Sequence, residues 1–372
     1  MASVPYLSVF VEAITGRIFS TLGADPSMAA GALIAGDMGG YTLAHATAGT
    51  PDSWVMATAV AFMSGSTIVF SIPVGLAMLE RRHHQAMALG IMSGVLAIPI
   101  GVLITTAIVK LTRTSVRLDL STTGDAEHVF ELGWGQILSN LIPIVNFVVV
   151  LALLLRFATR FTTSAFLVFG RVLDGCLKLV LALVVVEYFT QLPSTIWSGW
   201  GFAPVIADAD DQFRALEIAG YIGIMLAGAF PLVHVLRTVL SGHLGAVGRR
   251  FGVSTEGVAA LLAGSANILA LFRLVPTMPS RDQVLVIAFS VCAAFTFGDH
   301  LAFMANFRPN MVVPLVIGKL SGGVIAMLLA VWLAIPHMRK LEGLGGEPAM
   351  AQDAEAGAAT SAARGAGGRL AS

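Results

Sequence analysis

An all-α polytopic integral membrane protein, arranged as an inverted-repeat secondary-transporter-like helical bundle with two broken or re-entrant helices, is the fold this sequence predicts. Three observations predict it. Of 372 residues, 56% are hydrophobic and 12% charged, with mean hydropathy +0.83, whereas soluble domains carry about 25% charged residues. Windows near 53–79, 85–110, 132–157, 163–190, 213–240, 281–305 and 310–336 reach the length of about 20 apolar residues that a helix needs to cross a hydrocarbon core. Two shorter apolar stretches, 24–49 and 252–274, are interrupted by small and polar residues and match one another.

Residues 1–23 read as part of a helix. MASVPYLSVF has neither a basic n-region nor a small-residue cleavage site, so no cleavable signal is expected. Pro5 matches Pro231 at an offset of 226, and Pro231 lies deep within the window 213–240. On that reading the first repeat lacks about one and a half helices, and either the start lies upstream of Met1 or the protein is shortened.

The first-repeat half, 24–110, opens on ADPSMAAGALIAGDMGGYTLAHATAG. A capping signal starts its helix, and Gly36, Gly39 and Gly40 interrupt it around Asp37. The RRHH turn, 81–84, suits a cytoplasmic anchor, and the polar run 111–131 a periplasmic loop. Residues 132–240 hold linking helices and the start of the second repeat. Within them Arg171, Asp174 and Lys178 stand at i, i+3 and i+4 around the aspartate, so one helix face can neutralise itself. The second-repeat half, 241–341, contains the broken stretch GVSTEGVAALLAGSANILALFRL, with Gly264, Ser265 and Asn267 at its break. From 342 to 372 the chain turns to Gly, Ala and Ser, too poor in apolar surface to fold, and reads as a disordered cytoplasmic tail.

The repeat rests on a nearly constant spacing. Leu33-Ile34-Ala35-Gly36 precedes Leu261-Leu262-Ala263-Gly264 by 228 residues, and the same offset relates Gly90 to Gly318 and Ser93-Gly94 to Ser321-Gly322. If neither broken stretch crosses, five crossings lie between them, and an odd number turns the second copy upside down. That topology places Arg81, Arg82, Arg156, Arg160, Arg281 and Arg339 on one side, which the positive-inside rule makes the cytoplasm. Paired broken helices in an inverted repeat are how secondary transporters build a polar site near the bilayer midplane.

A charge at that depth is costly, so Asp37, and Asp299 beside His300 in AFTFGDHLAF, are expected to face a cavity or a partner. Two carboxylates at the Gly-rich breaks, the second at Gly298, suit a small cation; alternatively Asp299 pairs within the bundle and Asp37 caps a half-helix. Ser66, Thr67, Ser71, Ser265, Asn267, Asn140 and Asn146 can bond a substrate or join helices. Lys319 either snorkels or balances an acid. Cys176 and Cys292 are expected in the core. No metal, cofactor, nucleotide or redox motif is present, and the net charge of zero implies no nucleic-acid partner.

The blocks LIAGDMGGYTLA, GSTIVFSIPVGLAMLE, ALGIMSGVLAIPIG, ALEIAGYIGIMLAGAFPLV, AFTFGDHLAF and PLVIGKLSGG resemble, in order and from about residue 20 to 336, those of the ethanolamine utilisation transporter family, EutH. The resemblance implies a bacterial inner-membrane protein that admits ethanolamine for breakdown by a cobalamin-dependent ammonia lyase. Ethanolamine is a small ammonium with one hydroxyl. Asp37 and Asp299 can take the ammonium with Phe70 or Phe297 as a wall, and Ser265, Asn267 or His300 can bond the hydroxyl. Passive, proton-coupled and sodium-coupled transport all stay open, as does a homo-oligomer. The competing readings are a transporter of another small amine or polyol, and a membrane-embedded enzyme or sensor using Asp299 and His300. The latter is disfavoured because neighbouring helical residues point about 100° apart.

Overall fold

The computed structural model of the chain describes residues 17–34, 36, 39–118, 120, 125–197 and 252–338, with scattered helical positions between 220 and 238. The expectations for residues 1–16, for Asp37, for most of the window 213–240 and for the tail 342–372 lie outside the described residues.

The described chain is almost entirely helical. After a short α1 (Arg17–Thr21) come α2 (Ser27–Leu33) and α3 (Gly40–Thr47). The long α4 (Pro51–Met78) starts where the Thr50 hydroxyl accepts the Ser53 amide at 3.1 Å and Pro51 presets the first turn. Helix α5 (Arg81–Leu111) is interrupted at Leu96 and Ala97, before Pro99, where its first α-helical stretch, His84–Val95, gives way to Ile98–Leu111. A two-stranded strap, β1 (Ser115–Val116) paired antiparallel with β2 (His128–Val129), leads to α6 (Trp134–Phe157), α7 (Thr159–Thr190) and α8 (Leu192–Ile196). The second half holds α9 (Thr255–Ala266), α10 (Ile268–Leu274), α11 (Ser280–Ala293), α12 (Asp299–Phe307) and α13 (Pro309–Met338).

Helices α4, α5, α6 and α13 are long and apolar enough to cross a membrane, and they coincide with the windows 53–79, 85–110, 132–157 and 310–336. The window 163–190 is helical as α7, yet Arg160, Arg171, Asp174, Lys178 and Glu187 keep it below that apolarity. The window 281–305 is not one helix. It breaks between α11 and α12, because hydropathy averages across a backbone interruption without registering it.

Helices α4 and α5 are central, 83% and 78% buried over their most apolar windows, whereas α6 is 33% buried and displays Phe147, Phe157 and Val150 outward. Small residues bring the inner helices close. Gly90 and Gly94 of α5 lie against Ile287 and Val291 of α11, and Gly318 and Gly322 of α13 lie against Thr105 and Cys292. Cys292 is buried as expected, but Cys176 is exposed on α7.

Polar ties define two ends. At the strap end, Asp52 accepts from His128 (2.7 Å) and from the Glu131 amide (3.0 Å), Arg117 donates to the Asn306 carbonyl (2.8 Å) and Asn310 to that of Ser115 (3.0 Å). At the opposite end, the buried His83 meets Gln283 (3.0 Å) and Arg281 donates to the Gly252 carbonyl. The RRHH turn therefore also joins the two halves of the chain, and within it Arg82 keeps an exposed ion pair, to Glu80.

Candidate substrate site

The two interrupted stretches are hairpins whose ends are held together by an aspartate. In the first, Asp25 accepts the Ser27 amide (2.9 Å) and hydroxyl (2.6 Å) with one oxygen and the Gly49 amide (3.0 Å) with the other, so residues 25 and 49 sit together at the strap end. The Asp25 amide donates to Asn140 (2.8 Å), which gives that asparagine a structural partner. In the second, Asp282 accepts the Ser254 amide at 2.7 Å, and Ser254 in turn caps α9 through the Gly257 amide. This closure lies at the end of His83 and Gln283.

Each hairpin breaks near its tip. Gly39 carries the first break at φ 105°, a left-handed conformation that glycine adopts without a Cβ clash, and Gly40 begins α3. Gly36 is buried so closely under Phe62 that an added methyl carbon would stand 2.8 Å from the ring. The Ser64 hydroxyl takes up the Ala32 carbonyl at 2.9 Å, one of those left over where α2 stops. In the second hairpin Asn267 is extended at φ −156°, and its side chain accepts the Leu269 amide at 2.8 Å to cap α10.

The loop between α11 and α12 docks on this second break. The Phe297 amide donates to the Ser265 carbonyl (2.8 Å) and the Phe295 amide to that of Gly264 (3.3 Å), which satisfies carbonyls at the end of α9. Any side chain at Gly298 would collide with the Ala266 carbonyl oxygen. Phe295 holds a positive φ of 60°, strain that persists only where surrounding contacts impose it. Asp299 then starts α12, half-buried in its first turn, where the helix dipole favours a negative charge.

His300, 1% exposed, presents its ring edge to Phe62 at 4.8 Å and meets Phe295 at 5.2 Å. It lines a crevice of about 180 Å³ with Thr296, Leu301, Met304, Leu315 and Lys319, no part of it wide enough for a water molecule. Phe70 reaches the same cluster through Phe295, ring centres 5.8 Å apart. The structure thus gathers Gly264, Ser265, Asn267, Phe297, Gly298, Asp299 and His300 at one crossing, with Phe70 on its flank and Gly36 behind Phe62. Asp37 lies outside the described residues.

Several polar groups here are already committed. The Ser265 hydroxyl donates to the Leu261 carbonyl (2.8 Å), Thr67 to that of Val291 (3.3 Å) and Ser71 to that of Ser66 (3.3 Å). Asn146 is exposed. On α7, Lys178 and Asp174 form an ion pair at 2.7 Å, in keeping with a self-neutralising face, while Arg171 donates to the Leu167 carbonyl.

Lys319 does not snorkel. Fully buried, its ammonium donates to the Phe62 carbonyl at 2.6 Å, within a π-helical turn, Ala61–Gly65. Such a turn breaks the regular bonding ladder and frees carbonyls for other donors. The charged group lining the His300 crevice is thus the Lys319 ammonium, and Asp299 starts the neighbouring helix. Sequence reasoning also missed Arg308, buried between Tyr41 and Trp54. Its only signal was a lone arginine between two apolar windows. No group of three His, Cys, Asp or Glu side chains among the described residues is placed to hold a metal.

Apolar spanning helices, broken helices at the centre and glycine-mediated close packing define an all-α, multi-pass membrane protein. Residues 1–333 match the family described as ethanolamine utilisation protein, EutH, and the chain belongs to that family. It is 33% identical over 337 residues to a probable ethanolamine permease EutH of Listeria monocytogenes, covering 90% of this chain and 82% of the relative. It is also 33% identical over 342 residues to the protein of the same description in Escherichia coli, covering 89% and 80%. An uncharacterised protein of Bacillus subtilis, YxeR, is 31% identical over 334 residues, covering 88% and 80%. No solved structure matches the chain.

Proposed function

We propose that this chain is a permease that carries ethanolamine across the bacterial inner membrane for catabolism, and that it is a transporter and not an enzyme. The observation that carries the reading is the match to probable ethanolamine permeases along nine-tenths of the chain. Two features of the fold support it. The hairpins close at opposite ends of the bundle, Asp25 to Gly49 at one and Asp282 to Ser254 at the other, as two re-entrant elements of an inverted repeat do. The second break also leaves Asp299 in the first turn of α12, where a small amino alcohol would meet a carboxylate.

In this reading Asp299 seats the ammonium, with Asp37 from the first hairpin as a second carboxylate and Phe70 or Phe297 as an aromatic wall. The hydroxyl bonds capacity still available at the break. Asn267 uses its side-chain oxygen as a cap, which leaves its amide NH2 to donate, and the Ser265 oxygen can accept while its proton is engaged. His300 is a further partner for the hydroxyl. Lys319 keeps a second cation away from the Phe62 carbonyl. The strap end faces the periplasm, and the opposite end, with Arg81, Arg82 and Arg281, faces the cytoplasm together with the C-terminus.

Uptake of labelled ethanolamine into proteoliposomes tests this directly. The chain should accumulate label, and Asp299→Asn should lower the initial rate by about tenfold or more with unchanged reconstitution, as loss of a charge-assisted bond predicts. Equal rates in Asp299→Asn would remove the seat assigned here, and no uptake by the unaltered chain would remove the permease reading. Repeating the measurement without sodium, and then without a pH gradient, separates the three modes of coupling.

A further inference from the structure

We propose that the pocket formed by Tyr41 and Trp54 at the strap end is an outer binding site for a small alkylammonium, and that the guanidinium of Arg308 fills it as an internal competitor in the conformation described. The choice of ligand rests on the ammonium-substrate reading above.

A cation is already seated in this pocket. The Arg308 guanidinium lies 3.8 Å from the centre of the Trp54 ring and 5.3 Å from that of Tyr41, while Tyr41 and Trp54 themselves are 4.9 Å apart. Ring faces carry negative electrostatic potential and hold cations most strongly where water is excluded. All three residues are at most 2% exposed. Such walls select against anions and for a compact organic cation.

Arg308 is held there by few directional bonds. Its Nε donates to the Tyr41 hydroxyl at 3.0 Å, Nη1 comes no closer than 3.9 Å to the Met311 sulfur, and Nη2 has no hydrogen-bond partner among the described residues. No carboxylate among the described residues pairs with it. A buried arginine is normally fixed by a two-pronged carboxylate pair; one resting on ring faces with a nitrogen unsatisfied is poised to leave. The backbone permits this, since Arg308 is non-helical at φ −144°, ψ 66°, between the end of α12 and Pro309. A rotation at that junction withdraws the side chain without unwinding either helix.

The position suits a first station. The pocket lies at the end carrying the strap, whose ties Arg117 to Asn306 and Asn310 to Ser115 bracket Arg308 in sequence. From it a line of ring contacts leads inward, Tyr41 to Phe303 at 5.3 Å, Phe303 to Phe62 at 5.5 Å and Phe62 to His300 at 4.8 Å, ending beside Asp299. An ammonium leaving the pocket therefore meets further aromatic surface up to the carboxylate.

The test uses the full chain in detergent, with Trp134, Trp197, Trp200 and Trp332 changed to Phe so that Trp54 alone reports, titrated with ethanolamine and separately with tetramethylammonium. Arg308→Gln removes the competitor and should tighten binding of both by about tenfold, whereas Arg308→Lys should stay within about threefold of the parent. Tyr41→Phe keeps the ring, removes the hydrogen bond that retains Arg308, and should tighten binding by about fivefold. That variant decides the matter if Arg308→Gln does not fold. Unchanged affinity in Tyr41→Phe, or tightening in Arg308→Gln that survives Trp54→Leu, as read by equilibrium dialysis, overturns the proposal. The two readings fail separately. Uptake by the unaltered chain with no effect of Tyr41→Phe removes the pocket and keeps the permease, while tightened tetramethylammonium binding without ethanolamine uptake does the reverse.

Discussion

The two hairpins, each closed by an aspartate, make their breaks by different chemistry. In the first, the break is a backbone device: Gly39 takes a left-handed conformation and Gly36 slides beneath Phe62. In the second, a side chain makes it, Asn267 capping α10, and a neighbouring loop braces it through the Phe295 and Phe297 amides. The helices that follow diverge in the same sense. A shift of 228 residues carries the π-helical turn Thr67–Ser71 of α4 onto Phe295–Asp299, the point where the second half breaks outright. The first half thus absorbs its irregularity inside a continuous helix, whose Phe62 and Phe70 pack against His300 and Phe295. The second opens and supplies a helix N-terminus with its carboxylate.

The largest expected effect tests whether the halves are inverted at all. With a single cysteine at Thr50 or at Ser280, an impermeant thiol reagent should label the first only from the periplasm and the second only from the cytoplasm. Labelling of both from one side would end the comparison.

Next in size is the contrast between the breaks. Gly298→Val drives a side chain into the Ala266 carbonyl and should cost about 3 kcal/mol or more, seen as loss of monodisperse protein after solubilisation, whereas Gly39→Ala should cost about 1–2 kcal/mol of left-handed strain. Equal melting temperatures for the two variants would show that the second break is not braced as described.

The aspartate staples come third. Asp25→Ala and Asp282→Ala should each cost about 1.5–3 kcal/mol, since each strands backbone donors. Their effects should add, because the residues lie at opposite ends. A double variant no worse than either single one would place both in a common network. Smallest is Asn267→Ala, expected to lose about 1 kcal/mol of capping in thermal melts, with Asn267→Asp retaining most of it.

Much of the frame was legible from residue order. The windows at 53–79, 85–110, 132–157 and 310–336 returned as α4, α5, α6 and α13, and the interruptions at Gly39 and Asn267 fell where small and polar residues stood in apolar surroundings. The split of 281–305 was half legible: Gly298 marked it, but a hydropathy window ran through. His83 read as a surface anchor and is buried against Gln283, 200 residues away. Among the candidate site residues, the gathering of Ser265, Asn267, Phe297 and Asp299 could be anticipated from the paired breaks, whereas the roles of Ser265 and Asn267 in holding their own helices could not.

What the sequence by itself determined was local or additive: which stretches are apolar enough for lipid, and where a cap or glycine interrupts them. Apolar burial sums over neighbouring residues and capping acts within one turn, so both survive without knowledge of the fold. Only the tertiary structure decided what the buried cations do. A lysine in an apolar window can reach the interface or a carbonyl with the same side chain, and an arginine can take a carboxylate or a ring face. Lys319 takes the carbonyl of Phe62, 257 positions away, and Arg308 takes Tyr41, 267 positions away. An unsolvated charge is stabilised by whichever dipole or π face stands within a few ångströms, and the three-dimensional path of the chain alone sets that distance.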